Sequence, residues 1–459
     1  MSDAIIECEN YLGRQTIDLQ YSRTFWYSLR WDDQSLPESK LGEDLLSVAG
    51  VVQIADRAFR RRFRLGELTR TYHVQASVNL PDRWQAAADN LVQALSFLSS
   101  DNWEFSFIAR SKKSDSPLRE RSSRQRRTDA AIELQGRPGS VALFSGGLDS
   151  FCGATYLLKK QQSEAQNDGF PVFVSSYLKD LSRLQDKLLK PLSTRTNASY
   201  LHLPIYFRAD PKSTGGFSLS DFPERTRRTR SFFYIAQAAA FALSHMIPEL
   251  YLFENGVLAL NLPIRQDRTG ARSTRHAHPI FLAAMQSFLR SLSQGEWLPE
   301  IVNPFAFLTK AEVLQYAGQW SDLISSTVSC WDYGNFTATL RKELNRKEIT
   351  HCGFCLPCLV RRLALMSADV PDPPAIYGYD VFQAARESFP APEKRKGQWT
   401  EAKALLQFAQ QLNELDKWAF YHRYIDRLTH LEPLDHSVEL NTTYEMMRRF
   451  ANDVIKYLG

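Results

Sequence analysis

The chain has 459 residues, 44% hydrophobic and 23% charged, which is enough for a large packed core and two or three domains. Its formal net charge of +5 is concentrated in one stretch: Arg110 to Arg127 carries eight basic and two acidic residues, a net of +6, so the remainder sums to −1. A Ser-rich basic run without interleaved aromatics reads as a solvated linker rather than a nucleic-acid groove, so a nucleic-acid partner is disfavoured.

The start MSDAIIECEN lacks the cationic and apolar regions of an export signal, and no apolar run approaches the roughly 18–20 residues that span a bilayer. We therefore expect no membrane partner and a cytoplasmic location. Six cysteines are too few for a disulfide scaffold, and three of them fall within seven positions, which suits a metal site in a reducing compartment.

In chain order, residues 1–109 mix short alternating segments (TYHVQASVNL, WEFSFIA) with amphipathic ones (DNLVQALSFL), predicting an N-terminal α+β domain. Residues 110–139 form the basic linker. From 140 to 370, the apolar runs VALF, FPVFVSSY, SYLHLPIYF, ELYLFENG and EIVNPF read as buried strands separated by helical segments. That rhythm predicts an α/β domain with a doubly wound parallel sheet, because each parallel crossover needs a covering helix. Residues 371–459, after the Pro-rich DVPDPPAIYG, predict a helical C-terminal region.

The stretch SVALFSGGLDSF runs from a buried strand through Gly146 and Gly147 into a helix, so that the backbone can approach an anion facing free N–H groups. Ser145 and Ser150 add hydroxyl donors, and Asp149 caps the helix or orients a metal or nucleotide. No G-x-x-x-x-G-K-[ST] and no G-x-G-x-x-G occurs here. Further on, HCGFCLPC sets Cys352, Cys355 and Cys358 at two-residue intervals, and Cys330 offers a fourth thiolate. Four thiolates suit a closed tetrahedral zinc site; iron–sulfur ligation is the alternative. Cys8 and Cys152 read as plain apolar residues.

The SGGLDS loop resembles the signature of the PP-loop ATP pyrophosphatases. This resemblance implies an adenine nucleotide alpha hydrolase (HUP-like) core. Ser145, Gly146, Gly147, Leu148, Asp149 and Ser150 would hold the pyrophosphate end of ATP, with Mg²⁺ bridging, while a substrate oxygen attacks the α-phosphate. Together with Ser329-Cys330 and Cys352, Gly353, Cys355, Cys358 and Arg361, the chain is similar over about half its length to the 7-cyano-7-deazaguanine synthase family. FLTKAEVL around Lys310 and RSFFYIAQAAA from Arg230 resemble segments of that family too. The resemblance implies a ligase that adenylates 7-carboxy-7-deazaguanine, releasing pyrophosphate, for attack by a nitrogen nucleophile, with Zn²⁺ on the cysteines and Asp149, Ser150, Arg230 and Lys310 as catalytic residues.

The family's Tyr-Gly-Gln and its Asp-x-Ser-Gly-Tyr-Pro-Asp-Cys-Arg stretch are absent, and ENGVLALNLPIRQDRTGARSTRHAHPIF stands in the latter's place. In this the chain resembles the divergent, QatC-type components of bacterial antiphage operons, which implies partner proteins of the same defence operon and an amine on one of them as acceptor. Thiolation- or lysidine-type tRNA modification and a catalytically silent nucleotide-binding scaffold are the other readings of a PP-loop.

Beyond these motifs, Glu254 and Asn255 end a predicted central strand, at the edge where α/β sheets bind ligands, and are candidate substrate residues. His276 and His278 flank Ala277, a spacing that aims both at one pocket in an extended segment, with His278 the substrate candidate. Arg225, Arg227, Arg228 and Arg230 precede an apolar helix; a solvated basic turn and contact with a phosphate or carboxylate both fit them.

Overall fold

The computed structural model describes the chain apart from residues 1, 11–12, 22, 30–38, 62–68, 112–115, 118–136, 164–168, 177–178, 210–223, 225, 266–274, 332, 334, 383–397 and 432–437. Arg225 and most of the expected linker therefore lie outside the described residues, as does the middle of the stretch from Glu254 to Phe281.

Two sheets organise the molecule. The first contains β1 (Ala4–Asn10), β2 (Gly13–Leu19), β4 (Thr71–Val78) and β5 (Asn102–Ala109), in the order β2-β1-β4-β5. Strand β5 alternates strictly between exposed and buried residues through Phe107, so one face of this edge strand is wet and the other packs on helices. The second sheet has the order β10-β9-β6-β7-β8-β3. Its five strands β6 (Arg137–Leu143), β7 (Gly169–Ser176), β8 (Leu201–Ala209), β9 (Glu249–Tyr251) and β10 (Glu300–Val302) are all parallel. The expected α/β fold with a doubly wound parallel sheet is what forms, consistent with a PP-loop core.

The wound order carries a functional consequence. From β6 the chain moves outward through β7 and β8, then returns to add β9 and β10 on the other side of β6. The switch between β6 and β9 opens a crevice at the carboxyl ends of the strands, where such sheets bind ligands. The loop after β6 is the Gly-Gly turn, and the residues after β9 are Glu254 and Asn255.

The N-terminal region is not confined to its own sheet. Strand β3 (Phe25–Leu29) pairs antiparallel with β8 and closes the far edge of the large sheet. Phe25 and Tyr27 are fully buried against Phe207, with ring centroids 5.8 and 4.9 Å apart. The helix Lys40–Ala58 lies along the helix Arg230–His245, and one hydrophobic cluster runs through both sheets. A buried quartet of charges clasps the same junction. Arg70 bonds Asp56 and Asp101 at 2.6 and 2.7 Å, and Arg61 pairs with Asp101. Arg61 also holds Glu224 through its main-chain N–H (2.8 Å) and donates to the Thr226 hydroxyl (2.8 Å), while Asp56 accepts from the Thr229 main chain at 3.0 Å. The segment that leads into Arg230 is thus held by the N-terminal region.

Of the expected linker, residues 110–111, 116–117 and 137–139 are described. Arg110 is nearly buried against Glu43 and Asp44, and the Pro117 carbonyl accepts from Tyr27 N–H at 2.8 Å. The C-terminal region is helical as expected, with long helices Gln398–Glu414 and Val438–Leu458 packed on each other and sharing a core with the four clustered cysteines. No helix among the described residues is long and apolar enough to cross a membrane.

Candidate functional site

The glycine loop is held by its own polar groups and by two distant segments. Gly146 has φ +83°, a left-handed conformation that a side chain rarely adopts. Ser145 Oγ accepts from Gly147 N–H at 3.2 Å and lies 3.1 Å from Ser150 Oγ, which donates to the Gly147 carbonyl at 3.0 Å. From the helix Lys179–Thr196, Gln185 donates to the carbonyls of Phe144 and Ser145, each at 3.3 Å. From the segment before Cys330, Val328 N–H donates to Gly146 O at 3.1 Å. Leu148 starts the helix Leu148–Ser163 with its side chain in the core. A preorganised turn at the start of a 16-residue helix, at the sheet's switch point, has the form in which helix N-termini receive anions.

Around it the structure assembles a second set of groups. Lys310 and Asp149 form a buried ion pair. Asn255 caps the short helix Gly256–Leu260 through its Oδ1, and its amide lies 3.1 Å from Glu254 Oε1 and 3.5 Å from both Asp149 oxygens. Glu254 Oε2 is 2.8 Å from His276 Nε2. Asn303 fixes the backbone here, donating to Glu254 O at 2.9 Å. Lys310 is positioned by a capping box in which Thr309 and Glu312 exchange bonds of 2.8 and 3.2 Å.

Burial drives the Asp149 carboxyl up to about 6, against the pull of Lys310 and with a further push from Glu254. Glu254 goes the other way: burial alone would raise it, but the hydrogen bond and charge of His276, with Lys310, hold it below the usual carboxylate range. Two carboxyls driven apart beside a lysine and a histidine make an arrangement suited to proton transfer and charge neutralisation.

The two histidines part company. His278 is fully buried, caps the helix Pro279–Ser293 by accepting from Ile280 N–H at 3.3 Å, and packs on Phe97. The residues from Arg275 to His278 form a turn closed by a 3.2 Å bond from His278 N–H to Arg275 O, not a strand, so the spacing of two does not aim both rings one way. His276, not His278, reaches the cluster. Arg230 opens its helix exposed, without a hydrogen bond or ion pair to the loop among the described residues, and Arg228 is buried. Gln185, Asn303 and Val328 carry no sequence signal of their own; each acts through contacts far along the chain.

The cysteines converge. Cys330, Cys352, Cys355 and Cys358 are all buried, and their Sγ atoms lie within 4.8 Å of one another. Gly353 makes the turn possible: its φ is +90°, and a Cβ would meet the Tyr379 carbonyl at 1.8 Å. Such a donor set can hold a metal ion such as zinc, and four clustered thiols without a cation would oppose one another's ionisation. Bonds from its three neighbours push Cys330 down; Cys352 is raised by its bond with Cys330 but brought down overall by Cys355 and Cys358; bonds with Cys330 and Cys352 push Cys355 up, and burial, then the neighbouring thiols, pushes Cys358 up. Arg361, fully buried, ties this knot to Tyr377 at 3.1 Å and Thr327 at 2.6 Å. Cys8 and Cys152 are buried outside it, and burial raises both thiols, Cys8 to about 12.

A doubly wound parallel sheet with a glycine turn at its switch point and a four-cysteine knot places the chain in the α/β class, consistent with a PP-loop core. Among proteins of known activity, the chain is similar to two enzymes named 7-cyano-7-deazaguanine synthase. The one from Rhizobium johnstonii is 28% identical over 117 residues, 26% of this chain and 44% of that enzyme. The one from Porphyromonas gingivalis is 24% identical over 256 residues, 52% of this chain and 98% of that enzyme. No family model matches the chain.

Proposed function

We propose that the chain is an ATP-dependent ligase of the 7-cyano-7-deazaguanine synthase type, adenylating a carboxylate of the 7-carboxy-7-deazaguanine kind for attack by a nitrogen nucleophile. The observation that carries this is the glycine turn at the β6/β9 switch point, with the Asp149–Lys310 pair beside it. A carboxylate resists nucleophiles because its carbon is electron-rich and its leaving group is poor; attack of its oxygen on the α-phosphorus expels pyrophosphate and creates an acyl adenylate. The attacking amine then displaces AMP and must lose a proton.

In this reading the loop N–H groups and Ser145 and Ser150 bind the pyrophosphate end, and Lys310 neutralises charge as a compact point cation. His276, with Nε2 directed at the ionised Glu254, presents Nδ1 to accept the amine proton, and Asn255 holds the two carboxylates apart. Asp149, the loop's carboxylate, would hold a Mg²⁺ that supplies charge neutralisation, and Cys330, Cys352, Cys355 and Cys358 would hold Zn²⁺ as a structural ion.

We propose further that the acceptor is an amine of a partner protein in an antiphage operon of the QatC type. In support, the Porphyromonas enzyme is covered almost whole while about half of this chain lies outside the match, and the segment from Glu254 to Phe281 lacks the family's base-recognition stretch. The test is pyrophosphate release from ATP with 7-carboxy-7-deazaguanine, with and without ammonium. Release that depends on the acid and is lost in Asp149→Ala is expected; no acid-dependent release overturns the reading. Intact-mass spectra of co-expressed operon partners then show an added base, or sink the protein-amine acceptor.

A further inference from the structure

The last helix of the chain touches three pieces of the candidate site. In the helix Val438–Leu458, Met446 and Arg449 stand three residues apart and so project from the same side. Met446 reaches the start of the helix Gly256–Leu260, which Asn255 caps. A Cβ on Gly256 would collide with Met446 Sδ and with the Ala306 carbonyl oxygen, so glycine is what lets these segments close up. Gly256 N–H also donates to the Leu308 carbonyl at 2.8 Å, two residues before Lys310. Further along the same helix, Tyr457 donates its hydroxyl to the Met366 carbonyl at 3.1 Å, on the helix Leu356–Ser367 that carries Cys358 and Arg361.

Arg449 makes the contact that bears on chemistry. Its Nε lies 2.7 Å from Glu312 Oε1, and its Nη2 donates to Glu312 Oε2 at 3.4 Å, a two-pronged grip on one carboxylate. The same carboxylate accepts from Thr309 N–H at 2.8 Å, closing the capping box whose first helical residue is Lys310. The helix Lys310–Val313 is a single turn, too short to be rigid by itself, so its direction is set by its cap. Arg449 thus fixes the Glu312 carboxylate, the carboxylate fixes Thr309, and the cap fixes the base from which Lys310 reaches its buried partner Asp149. We propose that Arg449 is a positioning residue of the adenylation site, acting through Glu312 on Lys310, and that the C-terminal helix is the frame holding the Asn255 and Lys310 sides of the site in register.

The neighbouring arginine provides an internal contrast. Arg448 donates to the Asn413 carbonyl at 3.2 Å and to the Tyr444 hydroxyl at 3.3 Å, contacts that stay within the helical C-terminal region. The Arg449–Glu312 pair is half in water, with 45% and 33% of the two side chains exposed, and exposed pairs add little to stability. Its effect is therefore on geometry, because a preorganised charge counts toward a rate only when it is in place. The consequence for rate rests on the adenylation reading above; the placement of Lys310 by Arg449 does not.

Competitive acetylation of the folded full chain with acetic anhydride, read by peptide mass spectrometry, measures how well Lys310 is held without any need for ATP. The reference is Lys160, partly buried and bonded to the Tyr251 hydroxyl at 3.3 Å, which reports general loosening. In Arg449→Met the reactivity of Lys310 relative to Lys160 is expected to rise about threefold, the scale of one exposed ion pair lost. Arg449→Lys restores most of the protection, and Arg448→Met leaves it unchanged. In acid-dependent pyrophosphate release, Arg449→Met is expected to lower kcat by about threefold with the KM for ATP unchanged, since Lys310 answers charge that builds in the transition state. Unaltered Lys310 reactivity in Arg449→Met, an equal change in Arg448→Met, or a raised KM at constant kcat overturns the proposal. If the labelling follows expectation while no form of the protein releases pyrophosphate, the linkage from Arg449 to Lys310 stands and the adenylation reading is what fails.

Discussion

Two buried charge clusters in this protein contrast sharply. In the N-terminal quartet, Arg61 and Arg70 face Asp56 and Asp101, all at most 1% exposed, and the charges cancel. Burial alone would raise Asp56, but Arg70 and Arg61 outweigh it and hold its carboxyl below the usual range. In the cluster at the glycine loop, Asp149 is pushed up to about 6 while Glu254 is held down, and His276 keeps about a third of its side chain in water. A balanced, sealed network fixes architecture, whereas an open one whose carboxyls are driven apart is poised to take and give protons.

The largest effect expected from breaking the second cluster is on rate. Asp149→Ala is expected to lower acid-dependent pyrophosphate release by roughly 10²–10³, the scale of losing one preorganised electrostatic group. Steady-state rates check this, and urea midpoints show whether the fold stays intact. Breaking the first cluster has the opposite profile. Asp101→Ala leaves Arg61 and Arg70 short of a carboxylate in a sealed site and is expected to cost about 3–5 kcal/mol of stability, read from urea unfolding. An equal loss of stability in both variants would erase the distinction between the clusters.

A third perturbation sits between architecture and chemistry. The cysteine knot fixes Cys330, and two residues earlier Val328 donates to Gly146 of the loop. Cys355→Ser is expected to abolish bound metal, as measured by elemental analysis, and to lower pyrophosphate release less than Asp149→Ala does, because it loosens the loop without removing a charge from it. Unchanged release in a metal-free protein would separate the knot from the loop.

What was legible in the sequence follows the range of the interactions. The strand, turn and helix around Gly146 and the knot around Cys355 are local, and their residues announce them. The βαβ rhythm implied a doubly wound parallel sheet, but not the strand order that sets β9 beside β6. By contrast, β3 reaches the large sheet through pairing with β8, some 180 residues away, and an amphipathic segment does not name its partner. His276 was separable from His278 only by the turn at Arg275, since a spacing of two aims side chains together in a strand but not in a turn. Gln185 looks like any helical glutamine until the helix Lys179–Thr196 is laid beside the loop.

The finest test of the comparison is the pH dependence of stability. Asp149 has its folded-state pKa raised from 3.8 to about 6, chiefly by burial, so the folded protein binds this proton more tightly than the unfolded chain. Stability relative to a variant lacking the carboxylate must therefore fall as pH rises from about 4 to about 6, and then level off. Glu254, held low, contributes with the opposite sign: its stabilisation is present above its unfolded value and lost as pH drops through the folded one, below the Asp149 window. The difference in urea midpoint between wild type and Asp149→Asn, followed from pH 4 to 7, isolates the first group, because the amide's altered contact with Lys310 shifts the curve without sloping it. The expected loss is on the order of 1–3 kcal/mol across that interval, set by the shift and reduced by local relaxation. Asp56→Asn differs in sign and in window: burial would raise this carboxyl but Arg70 and Arg61 hold it low, so its stabilisation is already present above about 3.8 and lost only at lower pH, leaving the difference nearly flat from pH 4 to 7. A flat or rising Asp149 difference would place the loop carboxylate with the balanced quartet and remove its claim to chemistry.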